Sequence, residues 1–365
     1  MTYMREENLL IGSHIIAFYL NAFFWCFFIC WLIILTKRWH GRFTFDSHLG
    51  VQKVHDHPTP RIGGIAVALS LVISIGFLSP KLGILSRLFI ASMPIFIFGL
   101  IEDITKKVGV RERFLASIVS GLLACWLMNT TLTRLNIYGL DDVLQFIPIS
   151  IVFTVCSVSG LINAINIIDG FNGLASGVSL IICLSIAAIS FRVNDTELML
   201  TSLTIAFTVI GFMAANYPYG KIFLGDCGAY LVGFLIAWLA ILLPMHHANV
   251  SPWASLLICF YPIMETVFSI FRRWRRKHHP AHPDRLHLHS LVKARFINHR
   301  LAKYSPTLRN AAVAPILWLY TLSASMIAIF FFDHMLILIS TWLILFFVYI
   351  RWYKKLIAFG RKKLI

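Results

Sequence analysis

Charge is what this sequence has least of. Of its 365 residues only 13% are Asp, Glu, Lys or Arg, and just 16 are acidic. A soluble domain carries about a quarter charged residues, so a soluble enzyme or binding module is excluded. Cysteine is equally uninformative as chemistry. The seven, Cys26, Cys30, Cys125, Cys156, Cys183, Cys227 and Cys259, fall mostly inside apolar runs and show no metal-ligand spacing. They read as small buried hydrophobes. No fixed-period repeat and no low-complexity segment is present. The first apolar run, around Ile11 to Leu35, lacks a small-residue cleavage site and is too long for a signal-peptide core, so it reads as a retained helix.

What is present is hydrophobicity, 58% of the chain, in recurring runs long enough to cross a hydrocarbon core of about 30 Å. The expectation is an all-α polytopic membrane protein, a single domain over 1–365. Eleven transmembrane helices are expected near 11–36, 62–79, 85–101, 114–131, 144–162, 174–191, 198–215, 223–244, 253–271, 312–332 and 335–350. The net charge of +16 would suggest nucleic acid in a soluble protein. Here its distribution matters more, and no nucleic-acid partner is expected. With eleven spans, 27 of the 32 Lys and Arg residues fall on one side. The positive-inside rule then puts the N-terminus outside and the C-terminus in the cytoplasm.

The polar motifs segregate with those cations, in cytoplasmic stretches about 37–61, 102–113, 163–173, 216–228 and 272–311. Thr59-Pro60-Arg61-Ile62-Gly63-Gly64 leads into the second span. It is either a basic capped helix start, with Pro60 in the first turn, or a cationic lip at which two glycines let a phosphate approach backbone. Glu102-Asp103 closes the third span, either as surface partners of Lys106, Lys107, Arg111 and Arg113 or as a metal ligand plus a base. Fifteen central residues, Asn163 to Gly177, hold three Asn, one Asp and three Gly between two apolar runs. Asn166 and Asp169 share a helix face there. Gly225-Asp226-Cys227-Gly228 opens the eighth span, with Asp226 as an N-cap or as a metal ligand among exposed N–H groups. The longest polar loop ends in Asp284-Arg285-Leu286-His287-Leu288-His289, too sparse for a zinc site. Carboxylates, cations, glycine turns and imidazoles on one membrane face suit a diphosphate handled with Mg²⁺ beside a lipid.

The ordered pair Asn163-x-x-Asn166-x-x-Asp169-Gly170-x-x-Gly173-Leu174-Ala175 and Gly225-Asp226-x-Gly228, with the other motifs from Thr59 to His289, resembles the polyprenyl-phosphate N-acetylhexosamine-1-phosphate transferases of glycosyltransferase family 4. The resemblance implies that a polyprenyl (undecaprenyl) phosphate attacks the β-phosphate of a UDP-N-acetylhexosamine, giving polyprenyl-diphosphate sugar and UMP. It implies Mg²⁺, with Mn²⁺ as a substitute, and a bacterial cytoplasmic membrane with the active site facing the cytoplasm; a homodimer stays open. By motif position Asp226 is a metal ligand, with Asp103 beside it. Glu102 and Asp103 form the acidic pair, and Asp169, His287 and His289 complete the catalytic set. Asn166, Asn172, Asn216, Phe223, Arg61, Lys221 and Arg285 are the substrate-binding positions, Phe223 as an aromatic stacked on uracil.

Three residues depart from that family's pattern. Glu102 stands where Asp is usual, Asn172 replaces a second Asp that contacts uracil, and Ser290 truncates the histidine run. These changes favour a branch that starts surface polysaccharides such as O-antigen. A transporter of phosphorylated or lipid-linked solutes and an inactive homologue stay as alternatives. A CDP-alcohol-type phosphotransferase is disfavoured, because Phe171-Asn172-Gly173 breaks its Asp-Gly-x-x-Ala-Arg run.

Overall fold

Peptide groups in hydrocarbon have no water to bond, so apolar runs of this length close their hydrogen bonds internally as helices. The computed structural model describes residues 2–46, 58–78, 82–275 and 286–361. The order is α1 (Thr2–Leu35), α2 (Lys37–Thr44), α3 (Gly63–Leu78), α4 (Gly83–Thr105), α5 (Val110–Met128), α6 (Leu140–Leu144), α7 (Ile147–Ile168), α8 (Leu174–Arg192) and α9 (Thr196–Asn216). There follow α10 (Gly225–His246), α11 (Pro252–Ile258), α12 (Phe260–Arg275), α13 (Leu288–Val292), a π-helical turn (Lys293–Ile297), α14 (Asn298–Arg300), α15 (Pro306–Ala311), α16 (Val313–Phe330) and α17 (Met335–Arg361). No strand occurs among the described residues; Phe45 and Pro60 form one isolated antiparallel bridge.

The chain is an all-α polytopic membrane protein. Eight described helices are long and apolar enough to span, and a ninth span forms if α11 and α12, bent by 77° at Cys259, count as one. The two other expected spans are also helical. One, α3, is a shorter apolar helix, and the other, α5, starts with Arg111, Glu112 and Arg113.

The bundle is organised around α10. Its whole membrane window is buried, whereas only 11% of the α17 window is. Helices α3, α4, α7 and α8 pack on it. Small residues permit the close approach, as is usual between membrane helices. A Cβ on Gly64 would strike the backbone of Gly228, and one on Gly99 would lie 2.7 Å from the Cys227 Cα. At the far end Arg134 donates to the carbonyls of Pro244 (2.6 Å), Ala248 (3.0 Å) and Val250 (3.1 Å), closing the α10 C-terminus.

Two local expectations change. Pro60 is not in a helix: its carbonyl accepts the Phe223 N–H (2.8 Å), while the Arg61 N–H reaches Thr44 O (2.9 Å), and α3 starts only at Gly63. Gly63 and Gly64 donate to Phe223 O and Leu224 O. The two glycines therefore admit the 223–228 backbone rather than a ligand.

Candidate active site

The N-terminus of α10 is capped from another helix. Asp103, 0% exposed at the end of α4, accepts the Asp226 N–H on Oδ1 and the Cys227 N–H on Oδ2, both at 2.9 Å. Orphan donors in the first turn of a helix are natural carboxylate partners. Gly225 sits at φ +75°, and a Cβ there would meet the Arg61 carbonyl and lie 2.6 Å from Asp103 Oδ2. Asp226 is not an N-cap, since Leu224 holds that position. Among the described residues its carboxylate takes no backbone N–H and faces two guanidiniums. Arg61 Nη2 lies 3.3 Å from Oδ1, and Arg113 Nη1 pairs with Oδ2 and also donates to the Tyr230 hydroxyl (3.2 Å).

Arg61 is the hub of this cluster. It lies 3.4 Å from Asp103 Oδ1 and 3.6 Å from Asp46 Oδ1, and it feels the charge of Asp169. Asp169 caps the C-terminus of α7. Burial, then the charges of Asp226 and Asp103, push its carboxyl well above the usual range, and Arg61 only partly offsets them. Asn166, one turn earlier, lies beside the Tyr230 hydroxyl. Glu102 turns away from its neighbour, and its Oε2 accepts the Val108 N–H (2.9 Å), closing the loop after α4. The acidic pair thus splits into one helix cap and one loop clasp, because successive helical side chains diverge by about 100°.

The central stretch is tied down by amides. Asn216 accepts the Gly173 N–H (2.7 Å) and donates to Ile222 O (2.7 Å). Asn172, 2% exposed, donates from its NH₂ to Pro218 O (3.0 Å) and from its backbone N–H to Asn310 Oδ1 (2.9 Å). Trp318 donates to Gly173 O (3.0 Å). Asn172 and Asn216, expected to meet substrate, spend these groups holding the 216–223 loop onto the stretch. Lys221 is exposed with its Nζ 4.7 Å from the Trp31 ring centre, so it also points elsewhere than expected. Phe223 is half-buried, its backbone zipped to Pro60 and Gly63. Arg285 lies outside the described residues.

The histidines join this assembly through Phe171, whose ring meets the edge of His289 at 5.3 Å. His287 and His289 stack at 5.1 Å and 7°. Burial holds His289 down to about 4, opposed by Glu265, so it is neutral near pH 7. His287 Nδ1 bonds Glu265 Oε1 at 3.0 Å. Glu265 and Asn310 are residues that sequence reasoning missed, while Arg113, expected as a partner of the Glu102-Asp103 pair, pairs with Asp226 instead. Glu265 had a signal, a lone carboxylate inside an expected span; Asn310 had none beyond its residue type.

Among the described residues no group of three His, Cys, Asp or Glu side chains is arranged to hold a metal by itself. Mg²⁺ does not require one, since it is commonly bound by one or two carboxylates plus substrate phosphates. The hard oxygens of Asp226, paired with two guanidiniums, and of Asp169, whose raised carboxyl would give up its proton to a dication, have the right chemistry for such a site.

The sequence model of glycosyl transferase family 4 matches residues 85–244. The chain is 31% identical over 238 residues, 65% of its own length and 69% of the relative's, to an undecaprenyl-phosphate alpha-N-acetylglucosaminyl 1-phosphate transferase of Thermotoga maritima. It is 28% identical over 328 residues, 80% and 77% of the two chains, to a decaprenyl-phosphate N-acetylglucosaminephosphotransferase of Mycolicibacterium smegmatis. A third relative, from Escherichia coli strain K12, carries the same description as the Thermotoga protein and is 27% identical over 275 residues, 73% of each chain. With the family model lying across the helices that carry Asp103, Asp169 and Asp226, and with relatives of this similarity, the chain belongs to glycosyl transferase family 4.

Proposed function

We propose that this protein transfers N-acetylhexosamine 1-phosphate from a UDP-sugar to a polyprenyl phosphate. The products are UMP and a polyprenyl-diphosphate sugar, the first lipid-linked step of a surface polysaccharide such as O-antigen. The observation that carries the reading is Asp226: a carboxylate at a helix start, held by Asp103 and flanked by two guanidiniums. That is a ready site for phosphate oxygens and their counter-cation. The bond to be broken joins the α- and β-phosphates, and the acceptor's phosphate oxygen forms the new bond to the β-phosphorus.

Asp226, with Asp169 beside it, would hold Mg²⁺ or Mn²⁺, which when bound neutralises charge on the diphosphate oxygens. The protein's own groups do the rest. Arg61 and Arg113 bind phosphate oxygens once these compete with Asp226 for the guanidiniums. Asp103 keeps the α10 N-terminus fixed. Phe223 offers a half-exposed ring for the base, and His287 contacts the diphosphate. Asn216 shapes the floor, and Asn172 holds it with its NH₂ while its Oδ1 is left as an acceptor for the base. The distribution of Lys and Arg supports a cytoplasmic face for this site and a bacterial cytoplasmic membrane as its location.

The test is UMP release by purified protein given polyprenyl phosphate, Mg²⁺ and a panel of UDP-N-acetylhexosamines. The reading expects one sugar to react, and it expects Asp226→Ala to be inactive. No UMP with any sugar would remove it.

A further inference from the structure

Glu265 is fully buried, 0% exposed, six residues after the break at Cys259 between α11 and α12. Leaving a carboxylate in an apolar helix bundle is costly unless its oxygens are fully bonded. Here they are. Oε1 accepts His287 Nδ1 (3.0 Å) and the Leu288 N–H (2.9 Å), and Oε2 accepts the Tyr349 hydroxyl of α17 (3.2 Å). Four residues earlier on the same face of α12, Tyr261 places its hydroxyl 3.2 Å from His289 Nδ1. The i,i+4 spacing of Tyr261 and Glu265 thus matches the two stacked imidazoles one for one. Among the described residues nothing bonds His287 Nε2.

We propose that Glu265 is a positioning residue for His287. It fixes the ring's orientation and keeps the proton on Nδ1, so that Nε2 is the atom turned to the diphosphate. The proposal rests on the transferase reading for the identity of that ligand, not for the tautomer. A carboxylate bound to one imidazole nitrogen decides which tautomer the other nitrogen presents. A merely structural Glu265 would tie α12 to α13 through the Leu288 N–H and to α17 through the Tyr349 hydroxyl. The two roles therefore separate by variant. Glu265→Gln removes the charge and keeps the shape. Tyr349→Phe removes a bond to the far oxygen and leaves His287 untouched.

The experiment uses the full-length protein purified with ¹⁵N-labelled histidine, His287 being assigned by its loss in His287→Gln. The parent should show His287 protonated on Nδ1; Glu265→Gln, whose amide oxygen still accepts from Nδ1–H and from the Leu288 N–H, should keep that form, and Glu265→Leu, which has no acceptor, should populate the Nε2–H form. Turnover of Glu265→Gln should fall about 10–100-fold, with KM for both substrates within about twofold. In the His287→Gln background the same change should cost nothing further. Tyr349→Phe should lower thermal stability while keeping kcat within about twofold. An unchanged His287 tautomer in Glu265→Leu, or losses that multiply in the Glu265→Gln, His287→Gln double variant, would overturn the proposal. If Glu265→Leu does not fold, the parent decides alone, because an Nε2–H tautomer there is incompatible with Nδ1 donating to Glu265. A parent that releases no UMP removes the transferase reading, and the tautomer result still stands or falls by itself.

Discussion

Asp103 and Asp226 are both carboxylates near one helix start, yet their surroundings give them different work. Asp103 has each oxygen on a backbone N–H. In Asp103→Asn an NH₂ must face one of those donors, leaving a buried donor unpaired at a cost of about 1–3 kcal/mol. Asp103→Asn should therefore lower the melting temperature and abolish turnover together, while Asp226→Asn should abolish turnover without that loss of stability. Paired unfolding and UMP assays check the split. Asp169 works the other way. Its carboxyl is raised, so its favourable contribution is present at low pH and is lost as pH rises through the folded-state value. Asp169→Asn should accordingly raise the melting temperature at pH 8 without divalent cations, the gain shrinking as pH falls, and should still lose activity. At this scale the sequence showed which residues were unusual but not which way they faced. Asn172 and Asn216 look like base-reading amides because a staple and a base contact need the same side chain. Only the 216–223 loop folding back reveals that Asn216 spends its whole amide on backbone and Asn172 its NH₂, the Asn172 Oδ1 being left without a partner among the described residues.

Helices were legible because lipid leaves an apolar run no alternative to internal hydrogen bonding. Each of the eleven expected runs is helical, though the ninth is broken at Cys259, just before Pro262. That break was not visible in an unbroken apolar run, and it puts Glu265 and Tyr261 on the helix that receives the histidines. Helix packing was also illegible: Gly63 and Gly64 read as room for a phosphate, while the structure fills that room with the start of α10. This yields a contrast within α3. Gly64→Ala places a methyl against Gly228 backbone, which cannot swing aside, whereas a Cβ on Gly76 meets nothing within 4 Å. Gly64→Ala should lose stability and activity, and Gly76→Ala should stay close to the parent in both, as thermal unfolding in detergent would show.

Over the whole molecule, the polar motifs that are scattered from Thr59 to His289 converge because α10 is central and its N-terminus collects them. Arg61 arrives from before α3, Asp103 from α4 and Asp169 from the end of α7, and Phe171 links them to the histidines. The proposed orientation rests on the distribution of charge. A green fluorescent protein fused after Ile365 should fluoresce and alkaline phosphatase there should be inactive; the reverse would invert the proposed topology. The central claim concerns which bond breaks. A UDP-N-acetylhexosamine labelled with ³²P in its β-phosphate, incubated with the protein, polyprenyl phosphate and Mg²⁺, should pass its label to the lipid and release unlabelled UMP. Label leaving as UDP, or remaining in the donor for parent and Asp226→Asn alike, would contradict it.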